Sequence, residues 1–153
     1  MKRYDKLIFV SNSDTCRSPM AKAIMRSKFL LEHLEIESRG LVCLFPEPVN
    51  QKAEAVLVSN GLSMKEHESR QLEEEDLGER TLILTMDKTI RQKICDTFEH
   101  IENVHTLTEY IGCLGEVASP LGGTLADYGA CYELLDEFLT KLVVVLNEEE
   151  LLC

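Results

Sequence analysis

Leu7-Ile8-Phe9-Val10 runs directly into Ser11-Asn12-Ser13-Asp14-Thr15-Cys16-Arg17-Ser18-Pro19-Met20, and this stretch decides the fold. The segment Lys6 to Val10 is almost wholly apolar, as a central parallel strand buried on both faces requires. A polar loop follows. A helix then opens at Ser18-Pro19, with Ser18 as the expected N-cap and Pro19 at the first helical position. Loop and first-turn N–H groups that converge at a helix start, aided by the helix dipole, bind anions. Arg17 adds a planar fork of donors suited to phosphate. The residues by themselves describe an oxyanion cradle.

Outward from this loop, strands and helices alternate. Pro19 to Leu34 reads as the first helix, with Met20, Ile24, Phe29 and Leu31 among its apolar positions, and Ile36 to Leu44 as the second strand. Asn50 is the expected N-cap of a second helix that stops at Gly61. Thr81 to Met86 reads as a third strand ending at Asp87, residues 88–98 as a third helix, and Asn103 to Leu107 as a fourth strand. A closing helix over about Leu125 to Leu146 aligns Tyr128, Cys131, Leu135, Phe138, Leu142 and Val145 on one stripe. Glu148-Glu149-Glu150 reads as a solvated, fraying end. Units of this kind predict an α/β chain, a parallel sheet with helices on both faces in three layers. In such sheets ligands sit beyond the carboxyl ends of the strands, where strand order reverses, and that places the site on Ser11 to Ser18.

The chain has 153 residues, enough to bury a core in one domain, and the expected boundary is residues 1–153. Its net charge of −11 argues against nucleic acid and against docking to an anionic membrane. No apolar stretch approaches a membrane span, and Met1-Lys2-Arg3-Tyr4-Asp5 lacks a signal-peptide core, so a cytoplasmic location is expected. The six cysteines are Cys16, Cys43, Cys95, Cys113, Cys131 and Cys153. None forms a C-x-x-C pair, so they read as thiols, several packed as small hydrophobes. No metal and no cofactor is expected.

The loop resembles the signature of the low-molecular-weight protein tyrosine phosphatase family, C-x-G-N-x-C-R-S-P-x-A. Ser11 stands six positions before Arg17, where that family keeps its nucleophilic cysteine. Ser13 replaces the usual glycine and Asp14 the usual asparagine. The likeness continues through Ser38-Arg39-Gly40, His67-Glu68-Ser69-Arg70-Gln71-Leu72 and Met86-Asp87. It ends in Leu107-Thr108-Glu109-Tyr110 with Ser119-Pro120-Leu121-Gly122-Gly123. Thr15 and this last pattern are similar to the bacterial protein arginine phosphatase branch.

The resemblance implies a flavodoxin-like fold with a four-stranded parallel sheet in order 2-1-3-4. It also implies phosphate binding by Asn12, Ser13, Asp14, Thr15, Cys16, Arg17 and Ser18, with Ser38 and His67 bracing the loop. Ser11 then occupies the nucleophile position and Ser119 that of the general-acid aspartate. A thiol near pKa 8.5 can be ionised by a helix start and an arginine, whereas a serine hydroxyl lies several units higher. No neighbouring histidine is evident as a base. The expected partner is a phosphorylated protein, carrying phosphotyrosine or phosphoarginine, or a phosphate- or sulfate-like anion.

Three functions follow from this pattern. One is a pseudophosphatase or strongly impaired phosphatase. Another is an active protein phosphatase in which Ser11 is an engineered cysteine-to-serine trap; the third is an interaction scaffold indifferent to phosphate. Arg17 as a mere capping partner and Cys16 as a surrogate nucleophile are the competing readings of single residues. Tyr128 and Tyr132 read as packed side chains, with a place for Tyr128 at the pocket rim as the alternative.

Overall fold

The computed structural model describes residues 3–99 and 101–152. Cys153 and the Met1-Lys2 start read for a signal peptide lie outside them. Four strands form the sheet: β1 (Lys6–Ser11), β2 (Glu35–Gly40), β3 (Thr81–Thr85) and β4 (Val104–Thr106). All pairings are parallel and the order is β2-β1-β3-β4, as expected. The helices are α1 (Arg17–Arg26), α2 (Gln51–Ser59), α3 (Lys88–Thr97), the short α4 (Leu107–Tyr110) and α5 (Leu125–Leu152). Helices α1, α2 and α5 pack on one another, while α3 packs against β3 and β4.

β1 is central because nothing in it wants water. Leu7, Ile8, Phe9 and Val10 are all fully buried, with β2 and β3 on either side. Strand order reverses at β1, since the chain leaves it first for β2 and later for β3. The loop at its carboxyl end therefore occupies the switch point, where ligands bind in sheets of this kind.

Several boundaries differ from expectation, each for a local reason. Helix α1 begins at Arg17, not at Ser18-Pro19, and its N-cap residue Cys16 makes no side-chain cap. The Ser18 hydroxyl is used elsewhere in the loop, and Pro19 falls within the first turn, where a missing N–H costs nothing. α1 stops at Arg26 and does not reach Leu34, because Ser27 turns its Oγ back to the Ile24 carbonyl. Phe29 and Leu31, expected inside, are exposed. β2 ends at Gly40, and the amides of Leu41 and Val42 turn instead to the carbonyls of Ser11 and Asn12.

Strand β4 gives way at Leu107 to α4, whose N-cap Thr106 accepts from Glu109 N. Asn50 does cap α2, accepting from Lys52 N and Ala53 N. α5 continues through Glu148-Glu149-Glu150 to Leu152 without fraying. Its end is tied down: the Tyr110 hydroxyl donates to both Glu149 oxygens at 2.8 and 2.9 Å, and Arg3 N donates to Glu150. Among the described residues no helix is long and apolar enough to cross a membrane.

Candidate functional site

The loop from 11 to 18 is held by its carbonyls. Ser11 O and Asn12 O accept from the amides of Leu41 and Val42, and Ser13 O from the Cys43 thiol. Asp14 O accepts from His67 Nε2 at 2.7 Å, Thr15 O from Asn50 N at 2.7 Å, and Cys16 O from Met20 N. Six successive carbonyls are thus fastened to the surrounding chain. The N–H groups of Ser13, Thr15, Cys16, Arg17 and Ser18, by contrast, find no protein acceptor among the described residues. Unpaired backbone donors are costly unless a ligand or water takes them. A run of them at a helix start is an anion site.

One backbone conformation and one close approach let the loop take this shape. Asp14 adopts the left-handed conformation, φ 57°, which asparagine and aspartate tolerate better than most residues. Gly40 passes directly beneath: a Cβ there would stand 2.9 Å from Ser13 C and 3.0 Å from Asp14 N. Beside Gly40 runs the segment 70–72, bonded to it through Gly40 N to Arg70 O and Leu72 N to Gly40 O. That segment brings the Arg70 amide to Asp14 Oδ2 at 3.1 Å.

Arg17 is 4% exposed, and its NH1 donates twice, to the Val117 carbonyl at 2.8 Å and to Asp87 Oδ2 at 3.1 Å. Nε and NH2 meet no protein acceptor among the described residues, so most of the guanidinium fork remains for a ligand. The contacts do not support a mere capping role for this side chain.

Ser11 lies at the carboxyl end of β1, its Oγ 2.6 Å from Ser18 Oγ and 3.3 Å from Asp14 N. Ser18 in turn donates to Asp14 Oδ1 at 2.7 Å. The Asp14 carboxyl is fully buried, and burial pushes its pKa above the ordinary carboxylate value. The Ser18 hydroxyl, nearby His67 and the Arg70 amide oppose the rise without cancelling it. Ser38 Oγ lies beside the same carboxyl but outside hydrogen-bonding geometry. His67 braces the loop through the Asp14 carbonyl, with Nε2 as the donor.

The surroundings of Cys16 disfavour a nucleophilic thiolate. Burial pushes its thiol up to about 12, despite Arg17 beside it, and its Sγ faces Met20 Sδ. Ser119 is exposed, and among the described residues its Oγ accepts only from Leu121 N, at 3.3 Å. The 111–124 loop nevertheless reaches the site through the Val117 carbonyl on Arg17. Tyr128 is buried and Tyr132 half-buried.

Asp87, Gly40, Cys43 and the Arg70 amide complete the site, and sequence reading gave none of them a role there. Asp87 had a signal, since an acidic residue directly after a buried strand sits at the same sheet edge as the loop.

A family model described as low molecular weight phosphotyrosine protein phosphatase matches residues 6–151. The low molecular weight protein-tyrosine-phosphatase PtpB of Staphylococcus aureus is 34% identical over 137 residues, covering 90% of this chain and 96% of that one. The structure of the YwlE arginine phosphatase from Geobacillus stearothermophilus superposes with a TM-score of 0.88 at 30% identity, covering 95% of both chains. A cysteine-to-serine mutant of YwlE, solved with its active-site serine phosphorylated, superposes with a TM-score of 0.84 at 32% identity. It covers 90% of this chain and 93% of its own.

Proposed function

Because the chain belongs to the low molecular weight phosphotyrosine protein phosphatase family, we propose that residues 11–18 bind phosphate on protein side chains and that turnover is strongly impaired. The observation that carries this is the division of the loop backbone, six carbonyls fastened outward and five amides without a protein acceptor among the described residues, with Arg17 buried beside them. Such a ring suits a tetrahedral dianion.

Impairment follows from two hydroxyls. Ser11 starts from a pKa several units above a thiol, and each unit costs about 1.4 kcal/mol. Ser119 cannot protonate a leaving group, a loss of roughly 10²–10⁴ in rate. Phosphoarginine is the favoured substrate class, supported by Thr15, by the Leu107 to Tyr110 and Ser119 to Gly123 pattern, and by likeness to the Geobacillus arginine phosphatase. In the YwlE mutant a serine carries the phosphoryl group, so a hydroxyl in a loop of this kind can hold one.

The test compares binding with turnover. Inorganic phosphate is expected to bind, while multiple-turnover hydrolysis of p-nitrophenyl phosphate and of a phosphoarginine peptide stays negligible. Sustained hydrolysis that disappears in Arg17→Ala would make the protein an ordinary phosphatase.

A further inference from the structure

A serine attacks phosphorus only when something takes its proton, and the loop contains such an acceptor. A carboxylate can only accept, so the single hydroxyl hydrogen of Ser18 goes to Asp14 Oδ1, 2.7 Å away. Ser18 Oγ must then accept from Ser11 across their 2.6 Å contact. The chain Ser11 to Ser18 to Asp14 is thereby given a direction. All three side chains are buried, at 3%, 0% and 0% exposure, so water does not compete for these bonds. Asp14 is held from its other side by the Arg70 amide and through its own carbonyl by His67. An asparagine at 14 could accept from only one of the two donors, Ser18 Oγ and Arg70 N, that the two carboxylate oxygens satisfy, and it could not take up a proton.

Building on the reading that residues 11–18 hold phosphate, we propose that Ser11 is a phosphoryl acceptor whose proton leaves through Ser18 to Asp14. The protein thereby captures one phosphoryl group from a phosphorylated guanidino side chain as phosphoserine. In the step, the bond from Ser11 Oγ to phosphorus forms as the P–N bond breaks, and the electron pair of that bond stays on the guanidino nitrogen. The Ser11 proton passes to Ser18 while the Ser18 proton passes to Asp14. The phosphorylated guanidinium departs as a neutral guanidine and takes its proton from water, so no acid is asked of Ser119. The phosphoserine then persists, because Asp14 is left protonated and Ser119 offers no base to a hydrolytic water.

Burial of the Asp14 carboxyl favours its taking up a proton. The titratable groups that face it are His67, with Nε2 3.7 Å from Oδ2, and the Cys43 thiol. Asp14 acts through Ser18 and is therefore a positioning residue, so the test needs a readout that packing alone would not move.

The full chain is incubated with phosphoarginine, and with p-nitrophenyl phosphate as a second donor, and phosphoryl incorporation is followed by intact mass and site mapping. One phosphoryl group per chain is expected, on Ser11, with a maximal rate that rises with pH through the acid range. Asp14→Asn is expected to lower the maximal rate at saturating donor by roughly 10²–10⁴ and to flatten that rise. The donor's own ionisation affects both proteins alike, so the difference between the profiles reports Asp14. Ser18→Ala, which breaks the chain at its middle, is expected to lower the maximal rate as well.

Equal maximal rates in wild type and Asp14→Asn overturn the relay, as does a change confined to the half-saturating donor concentration. A protein that binds phosphate yet never labels Ser11 also removes the relay and leaves the proposed function standing. One that binds no phosphate removes both.

Discussion

Arg17 meets Asp87 at 3.1 Å through NH1, the same nitrogen that donates to the Val117 carbonyl. One end of the guanidinium is thus anchored from two elements, the start of α3 and the 111–124 loop, and the other end stays available. Asp87 also caps α3 by accepting from Ile90 N at 2.9 Å. The two duties separate by substitution. Asp87→Ala is expected to cost about 1 kcal/mol of stability through the lost cap and to weaken phosphate binding about tenfold. Asp87→Asn keeps the cap, so it should melt near wild type and still lose affinity. Thermal melts paired with phosphate titrations read both, and unchanged affinity in Asp87→Asn would remove Asp87 from the site.

Gly40 sets the height of the loop. Its missing Cβ would meet Cys43 Sγ at 2.6 Å and, more seriously, the backbone of Ser13 and Asp14 at 2.9 and 3.0 Å. A thiol can swing aside, but the backbone that shapes the proposed anion site cannot. Gly40→Ala should destabilise by about 1–3 kcal/mol and weaken phosphate binding at the same time. Denaturant melts and phosphate titration of the one variant check this, and a stable Gly40→Ala with wild-type affinity would show that the loop has slack.

Hydrolysis should return when the two hydroxyls are replaced. Ser11→Cys puts a thiol where Arg17 and the start of α1 can favour its ionised form. Adding Ser119→Asp restores an acid for the leaving group. The double variant is expected to hydrolyse p-nitrophenyl phosphate roughly 10²–10⁴ faster than Ser11→Cys alone. A folded double variant with no gain over the single one would mean that the 111–124 loop does not deliver position 119 to the reacting atoms.

Asp14 should make the fold less stable as pH rises through the acid range. Its folded pKa is raised, chiefly by burial, so between the ordinary aspartate value and that raised value the native state binds more protons than the unfolded one. Its contribution to stability therefore falls as pH rises through that window and stays low at neutral pH. Asp14→Asn does not titrate, so its stability relative to wild type should be higher at neutral pH than at low pH. Urea melts across the acid range measure it, and a wild-type profile parallel to that of Asp14→Asn would contradict the assignment.

How much of this could be read from the sequence varies with the range of the interaction. The strand, loop and helix order follows from apolar runs and a proline, and the sheet order came with the family resemblance. What failed was local competition: Ser18 looked like an N-cap, but its hydroxyl is drawn into the loop by Asp14 and Ser11. Phe29 and Leu31 fit the apolar face of a longer helix, but α1 has already ended at Arg26 with Ser27 as its C-cap. No histidine stands near Ser11 in the sequence, and the carboxylate three residues on reaches Ser18 and Ser11 only because the chain turns back through the left-handed conformation at Asp14. Asp87 and Gly40 are far from the loop in sequence and reach it only through the sheet.

On the proposed function, the turn after β1 holds a tetrahedral anion with its free amides and Arg17. Thermal denaturation of wild type and Arg17→Ala, each with and without phosphate or vanadate, tests it most directly, since a ligand bound to the native state must raise its stability. A melting temperature that climbs with anion concentration in wild type, and much less in Arg17→Ala, is the predicted result. No response in wild type, or the same response in both proteins, would contradict it.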